Sequence, residues 1–168
     1  MFEPSLSWVR GIDPHRVALM PRPRGGEWLA DEVAGWKRAG IGLVLSLLEP
    51  AEVHELDLGA ERALCDTSDI EFVSHPIPDH GVPASAGELS IALARLHDAL
   101  RERKAIAIHC RAGIGRTGLV AGCLLHGLDV PYADIFDLLS QSRGLSVPET
   151  SAQVAWVEAY TRRRFGEA

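Results

Sequence analysis

Apolar residues along this chain come either in short continuous runs or at helical spacing, and the two patterns predict strands and helices in alternation. Leu6 to Val9 and Val17 to Met20, separated by the turn composition Gly11-Ile-Asp-Pro14, predict an N-terminal hairpin over about 6–20. Pro21-Arg-Pro-Arg-Gly-Gly26 breaks regularity, and its two arginines read as solvated loop residues. Trp28, Leu29, Val33 and Trp36 have helical period up to Gly40, which makes both tryptophans core residues. Ile41 to Leu48 is apolar without alternation, as in a strand covered on both faces, and Pro50 closes it. A helix is expected from Leu56 to Cys65 and a short strand from Ile70 to Ser74. After the proline-stiffened stretch 76–83, Ser85-Ala-Gly-Glu88 has capping-box spacing and opens an amphipathic helix. Leu89, Leu93, Leu96 and Leu100 point inward, with Arg95, Asp98, Arg101 and Glu102 outward.

Ala105 to Ile108 reads as another buried strand, and Leu119 to Leu128 as a helix that is apolar nearly all round. Tyr132 to Ser142 repeats apolar residues at helical spacing and stops at Arg143-Gly144. A second capping box, Ser146-Val-Pro-Glu149, predicts a last helix with Val154, Val157 and Tyr160 inward, ending in a basic tail from Arg162 onward. The elements sum to one α/β domain over 1–168, with a core at about 27–165. Its mostly parallel central sheet takes strands near 41–48, 70–74 and 105–109 plus the hairpin, and helices flank both faces.

The hydrophobic fraction of 46% suits such a core, and 168 residues suffice to build it without staples. A net charge of −6 argues against nucleic acid and anionic membrane as general partners. Three cysteines, Cys65, Cys110 and Cys123, make no even framework, and the start MFEPSLSWVRG lacks a basic segment followed by an apolar one, so cytoplasm is the expected location. No run approaches the roughly 18 apolar residues of a membrane span. The pattern carries no statement about oligomeric state.

The chemistry gathers between the strand at 105–108 and the helix at 119–128, in His109-Cys110-Arg111-Ala112-Gly113-Ile114-Gly115-Arg116-Thr117-Gly118. A glycine-bearing loop that opens a helix presents backbone N–H groups and the helix's partial positive charge, so its natural guest is an anion. Cys110 at the mouth of that concavity is expected to ionise more readily than a free thiol and act as nucleophile. Arg116 offers a planar fork to two phosphate oxygens, and the Thr117 hydroxyl can serve the sulfur as it departs. The same letters spell the dinucleotide fingerprint G-x-G-x-x-G. That reading fails on context, because no second strand with an acidic residue follows.

H-C-x-x-G-x-x-R-T is the signature loop of the cysteine-dependent protein tyrosine and dual-specificity phosphatases, and the chain resembles that superfamily. The nearest likeness is to the kinase-associated dual-specificity members and their bacterial relatives. It is carried also by Ser74-His-Pro-Ile-Pro-Asp-His-Gly-Val-Pro83, by Gly118 to Leu125 and by Pro148-Glu-Thr-Ser-Ala-Gln153. The resemblance implies a phosphomonoester hydrolase that passes through a phospho-cysteine and needs no metal or other cofactor. Cys110 would be the nucleophile, Arg116 the phosphate and transition-state ligand, and Thr117 the thiolate partner. Arg111, Ala112, Gly113, Ile114 and Gly115 would cradle the substrate, with His109 in support. The family's general acid is an aspartate on a loop about thirty residues before the cysteine, and Asp79 lies 31 residues before Cys110, with His80 as its competitor. Where many relatives carry a water-orienting glutamine, this chain has Glu149, with Gln153 one turn later. A phosphoprotein or phosphopeptide is the implied substrate. An inositol phosphate or phosphoinositide is the alternative, disfavoured because the variable loop positions hold one arginine and no lysine. A non-catalytic phosphate-binding module is the alternative of another class. Glu49, at a strand end, reads as a solvated carboxylate with the pocket rim as its alternative place, and Cys65 is the candidate to capture an oxidised Cys110.

Overall fold

The computed structural model describes residues 1–164, with the side chain of Arg164 outside the description. Five strands form one sheet: β1 (Ser7–Trp8), β2 (Val17–Met20), β3 (Ile41–Ser46), β4 (Glu71–Ser74) and β5 (Ala105–His109). Their order is β1-β2-β5-β3-β4. The β1–β2 pair is antiparallel, as expected of the hairpin, and the other pairings are parallel. Among the described residues seven α-helices and one 3-10 turn (Gly26–Trp28) accompany them: α1 (Leu29–Arg38), α2 (Pro50–Glu55), α3 (Glu61–Thr67), α4 (Ala86–Arg101), α5 (Gly115–Gly127), α6 (Tyr132–Arg143) and α7 (Ser151–Arg164).

Strand alternation sorts the core into two layers. Val17, Leu19, Leu43, Leu45, Ile106 and Ile108 face a layer closed by α4 to α7, whereas Ala18, Met20, Val44, Ala105 and Ala107 face one closed by α1 and α3. A β-bulge between Ile41 and Leu43 puts Ile41 in the second layer although it is two residues from Leu43. The same alternation continues past β5 and sends consecutive residues to opposite sides: His109 meets Glu61 of α3, and Cys110 enters the α5 layer. Because β2 to β5 run parallel, their C-terminal ends deliver four loops to one edge of the sheet.

Several local expectations are corrected. Trp28 is 50% exposed, and only Trp36 is core; the guanidinium of Arg24 lies over the Phe2 and Trp28 rings and pairs with Glu32 at 2.7 Å, so Arg24 is a clamp and not a solvated loop residue. The helix expected over 56–65 begins only at Glu61, as α3, because Leu56 to Ala60 form a turn, and a separate helix, α2, precedes it. Pro50 does not merely stop β3 but starts α2 in its first turn, and the chain then turns at Asp57, whose φ is 53°, before α3. The last helix starts later than its first capping-box spacing implied. Thr150 Oγ1 accepts from Gln153 N at 3.1 Å, so the operative cap is Thr150 with Gln153, and Ser146-Val-Pro-Glu149 lies ahead of it. Residues 165–168, assigned to the basic tail, lie outside the described residues, while Arg162 and Arg163 are exposed. Among the described residues no helix is long and apolar enough to cross a membrane.

Candidate active site

The loop between β5 and α5 is held in shape from three sides. Gly113 N–H donates to Cys110 Sγ at 3.3 Å, while on the outer side Arg143 of α6 donates to Ala112 O at 3.0 Å and to Gly113 O at 3.1 Å. The carbonyl of the 112–113 peptide is thus drawn outward and its N–H points in at the sulfur. Arg22 N–H donates to Arg111 O at 3.0 Å and fixes the third side. Gly113 has φ +72°, and a Cβ there would stand 2.4 Å from Met20 O, so the position admits only glycine. Cys110 is 3% exposed, at the floor of the loop and not at its mouth.

Behind Cys110 lies a buried pair. His109 Nε2 is 2.7 Å from Glu61 Oε1, and His109 Nδ1 is 3.2 Å from Cys110 O; the two side chains are 0% and 2% exposed. The ring is thus held between a carboxyl oxygen of α3 and the backbone carbonyl of Cys110.

Arg116 is 2% exposed and its fork is spoken for on one edge. Nη1 donates to Glu52 Oε2 at 2.7 Å and to Ile77 O at 2.9 Å, and Nη2 donates to Glu52 Oε1 at 2.8 Å and to Asp79 Oδ1 at 3.0 Å. Nε makes no hydrogen bond to another described residue. The bidentate clamp of Glu52 therefore orients the guanidinium with Nε and one Nη2 hydrogen turned to the loop. The Glu52 carboxyl also accepts from Glu49 N–H at 2.9 Å, and Arg116 beside it holds it down at about 2. Arg111 is drawn away from the loop's interior, to Glu55 at 3.0 Å and Glu52 at 3.4 Å. Ala112 is exposed, Ile114 half-buried and Gly115 buried. Thr117 Oγ1 is buried with no hydrogen-bond partner among the described residues.

The 76–83 loop brings Asp79 to this point from 37 residues before Arg116 in the chain. Its neighbour His80, at φ 57°, turns the other way, with Nδ1 3.0 Å from Glu149 Oε2 and Nε2 3.7 Å from Asp79 Oδ2. Gln153 Oε1 accepts from the N–H groups of Glu149 and Thr150, both at 3.1 Å, and its Nε2 donates to Gly81 O at 3.1 Å. Glu149 and Gln153 both overhang Gly115, where a Cβ would stand 2.9 Å from Glu149 Oε2 and from Gln153 Nε2.

Cys110, Arg116, Asp79, His109, Glu149 and Gln153 thus converge. The carboxylate that reaches the site after β3 is Glu52 and not Glu49, three residues earlier; Glu61 and Arg143 were equally unmarked in the sequence. The partner suggested for Cys110 in oxidation is not beside it: Cys65 packs in the opposite layer with its thiol pushed up to about 12 by burial, and all three cysteines are free.

A cysteine and an arginine at the two ends of a loop that opens a helix, faced by a carboxylate from a second loop, are the arrangement expected of the cysteine-dependent phosphatases. The family model described as "Swiss Army Knife protein, DSP-PTPase phosphatase domain" matches residues 5–161, and the chain belongs to that family. Cyclin-dependent kinase inhibitor 3 of Sus scrofa is 35% identical over 88 residues, 51% of this chain and 41% of that protein, so the chain matches under half the length of this relative. The crystal structure of kinase associated phosphatase, with its catalytic-site cysteine replaced by serine, superposes with TM-score 0.88 at 21% identity, covering 100% of this chain and 99% of that one. Tk-PTP in a glycine-to-alanine mutant form gives TM-score 0.75 at 28% identity over 95% and 97% of the two chains.

Proposed function

We propose that the protein hydrolyses phosphomonoesters of phosphotyrosine type, with phosphoserine and phosphothreonine as further substrates, through a phospho-cysteine formed on Cys110. The observation that carries the reading is the meeting of Asp79 with the phosphate-facing edge of Arg116 at 3.0 Å, above the loop that holds Cys110. A phosphate entering the loop meets inward N–H groups and takes two donors of Arg116, Nε and the Nη2 hydrogen now on Asp79. It thereby displaces Asp79 Oδ1 and frees that carboxyl to face the leaving oxygen.

The sulfur attacks phosphorus, and the P–O ester bond breaks with its electron pair on the leaving oxygen, which takes a proton from Asp79. In the second step Asp79 accepts a proton from water as the water oxygen attacks phosphorus. The P–S bond breaks, returning the sulfur and releasing inorganic phosphate. Arg116 follows the equatorial oxygens through both steps, and the orphaned Thr117 hydroxyl is the donor for the departing sulfur. Glu52 keeps the fork from rotating, and the Gly113 N–H stabilises negative charge on sulfur.

Hydrolysis of p-nitrophenyl phosphate tests this. Cys110→Ser is expected to bind phosphate without turnover, and Arg116→Lys to fail as well, since a point charge cannot replace a fork already held on one edge by Glu52. Near-normal turnover by either variant overturns the assignment. Phosphopeptides assayed beside inositol phosphates then separate the protein substrate from the alternative.

A further inference from the structure

Once phosphate takes Arg116 Nη2, Asp79 loses the hydrogen bond that joins it to Arg116, and something else must keep it over the leaving oxygen. The contacts that survive the exchange run to the start of α7. His80 Nδ1 meets Glu149 Oε2 at 3.0 Å, and Gly81 O accepts from Gln153 Nε2 at 3.1 Å. His80 is the hinge between the two systems: its own N–H donates to Asp79 Oδ1 at 3.0 Å while its ring reaches Glu149. The backbone there is in the left-handed region, which histidine tolerates better than most residues, and a turn closed by Gly81 N–H to Pro78 O at 2.8 Å fixes it.

We infer that His80 and Glu149 are a positioning pair: they hold the 76–83 loop to the start of α7, so that Asp79 stays aimed at the leaving group after substrate has displaced it from Arg116. This deepens the proposed function and rests on Asp79 as the acid. It also gives Glu149 a task other than orienting water, and Gln153 is committed to capping and to Gly81, with three hydrogen bonds to backbone groups. His80 faces Asp79 and Glu149, with Arg116 on the far side of Asp79. His80 thus joins the two carboxylates through different groups, its ring meeting Glu149 and its backbone N–H donating to Asp79.

The test compares phenyl phosphate, whose leaving oxygen needs a proton, with p-nitrophenyl phosphate, whose leaving oxygen needs little help. His80→Ala and Glu149→Ala are expected to lower kcat on phenyl phosphate about tenfold, the scale of a modest misplacement of a reacting group, with KM within about twofold. The loss should be small on the nitrophenyl ester. The double variant should be no worse than either single one, and in an Asp79→Asn background both substitutions should cost nothing further. Glu149→Gln, which keeps an acceptor for the ring, should restore part of the loss. Equal losses on both esters, additive losses in the double variant, or undiminished losses in the Asp79→Asn background overturn the pairing. If Asp79→Asn is itself harmless on phenyl phosphate, the acid assignment falls and the pairing with it. If Asp79→Asn is damaging while His80→Ala and Glu149→Ala are harmless, only the pairing falls.

Discussion

Asp79 and His80 are adjacent, and either could in principle deliver a proton, yet the backbone turns their side chains to different partners. Asp79 lies against Arg116 and His80 against Glu149. Replacing Asp79 by Asn should lower turnover of a poor leaving group by about 10²- to 10⁴-fold, the usual worth of a general acid, and should remove the limb of the pH–rate profile that requires a protonated acid. His80→Asn should keep that limb at reduced height; loss of the limb in His80→Asn alone would exchange the two roles. The pair behind the nucleophile makes a different demand. Glu61 reaches the site only through His109, so Glu61→Gln is a test of support for the loop and not of contact with substrate. It keeps the side-chain shape but removes the charge that faces a buried ring. The expected result is a lower kcat with little change in KM, read from full saturation curves on one aryl phosphate.

At the scale of elements the decisive contact is between α6 and the loop ahead of α5. Arg143, the last residue of α6, holds two loop carbonyls, and these bonds are what keeps the 112–113 N–H turned to the sulfur. Arg143→Ala should therefore weaken phosphate binding without touching the phosphate, seen as a severalfold rise in the inhibition constant of inorganic phosphate or vanadate, by the loss of charge-assisted hydrogen bonds. No sequence pattern points to Arg143, because its task is set by where α6 docks and not by its neighbours in the chain. The same holds for Glu52 and Glu61: the six-residue α2 is hidden where Pro50 reads as a stop, and α3 merges in the sequence with the turn before it. By contrast, the strands and the signature loop were legible, since each is specified locally, by an unbroken apolar run and by a loop chemistry that needs glycine at Gly113, whereas Asp79 was pointed out only by the family resemblance. The start of α7 shows the limit of local reading. Ser146 and Glu149 have the same three-residue spacing as Thr150 and Gln153, yet it is the second pair that caps the helix, while Val147 and Pro148 lie close against Gly118.

For the molecule as a whole the site has an energetic cost, because Arg116 is a buried cation in the main core layer and its stability depends on Glu52. The Glu52 side chain is 8% exposed and its carboxyl is held at about 2, against an ordinary value of 4.5, first by the hydrogen bonds from Arg116 and then by those from Glu49 N–H and Arg111. The folded value lies below the unfolded one, so the stabilisation is fully present above about pH 4.5 and is lost as pH falls towards 2. A shift of that size corresponds to at most on the order of 3 kcal/mol. Glu71, lowered by its hydrogen bonds with Arg95 across β4 and α4, works in the same direction, but both side chains are about a third exposed and solvent screens much of the effect. Glu52→Gln should thus unfold at lower urea concentration than the parent at neutral pH, and the gap should narrow as pH falls from about 4.5 towards 2, where Glu52 takes up its proton in the folded parent too. A gap that persists undiminished to pH 2 would mean that the loss is one of packing, and that the charge of Glu52 does not hold Arg116 in place. Phosphate offers an independent check on the same pair. Bound to the loop, it supplies Arg116 with a second anion, and at a concentration of about 100 Kd it should stabilise the folded parent by about 2.7 kcal/mol. In Glu52→Gln the stabilisation at that same phosphate concentration should be smaller, because a fork free to rotate binds the anion more weakly.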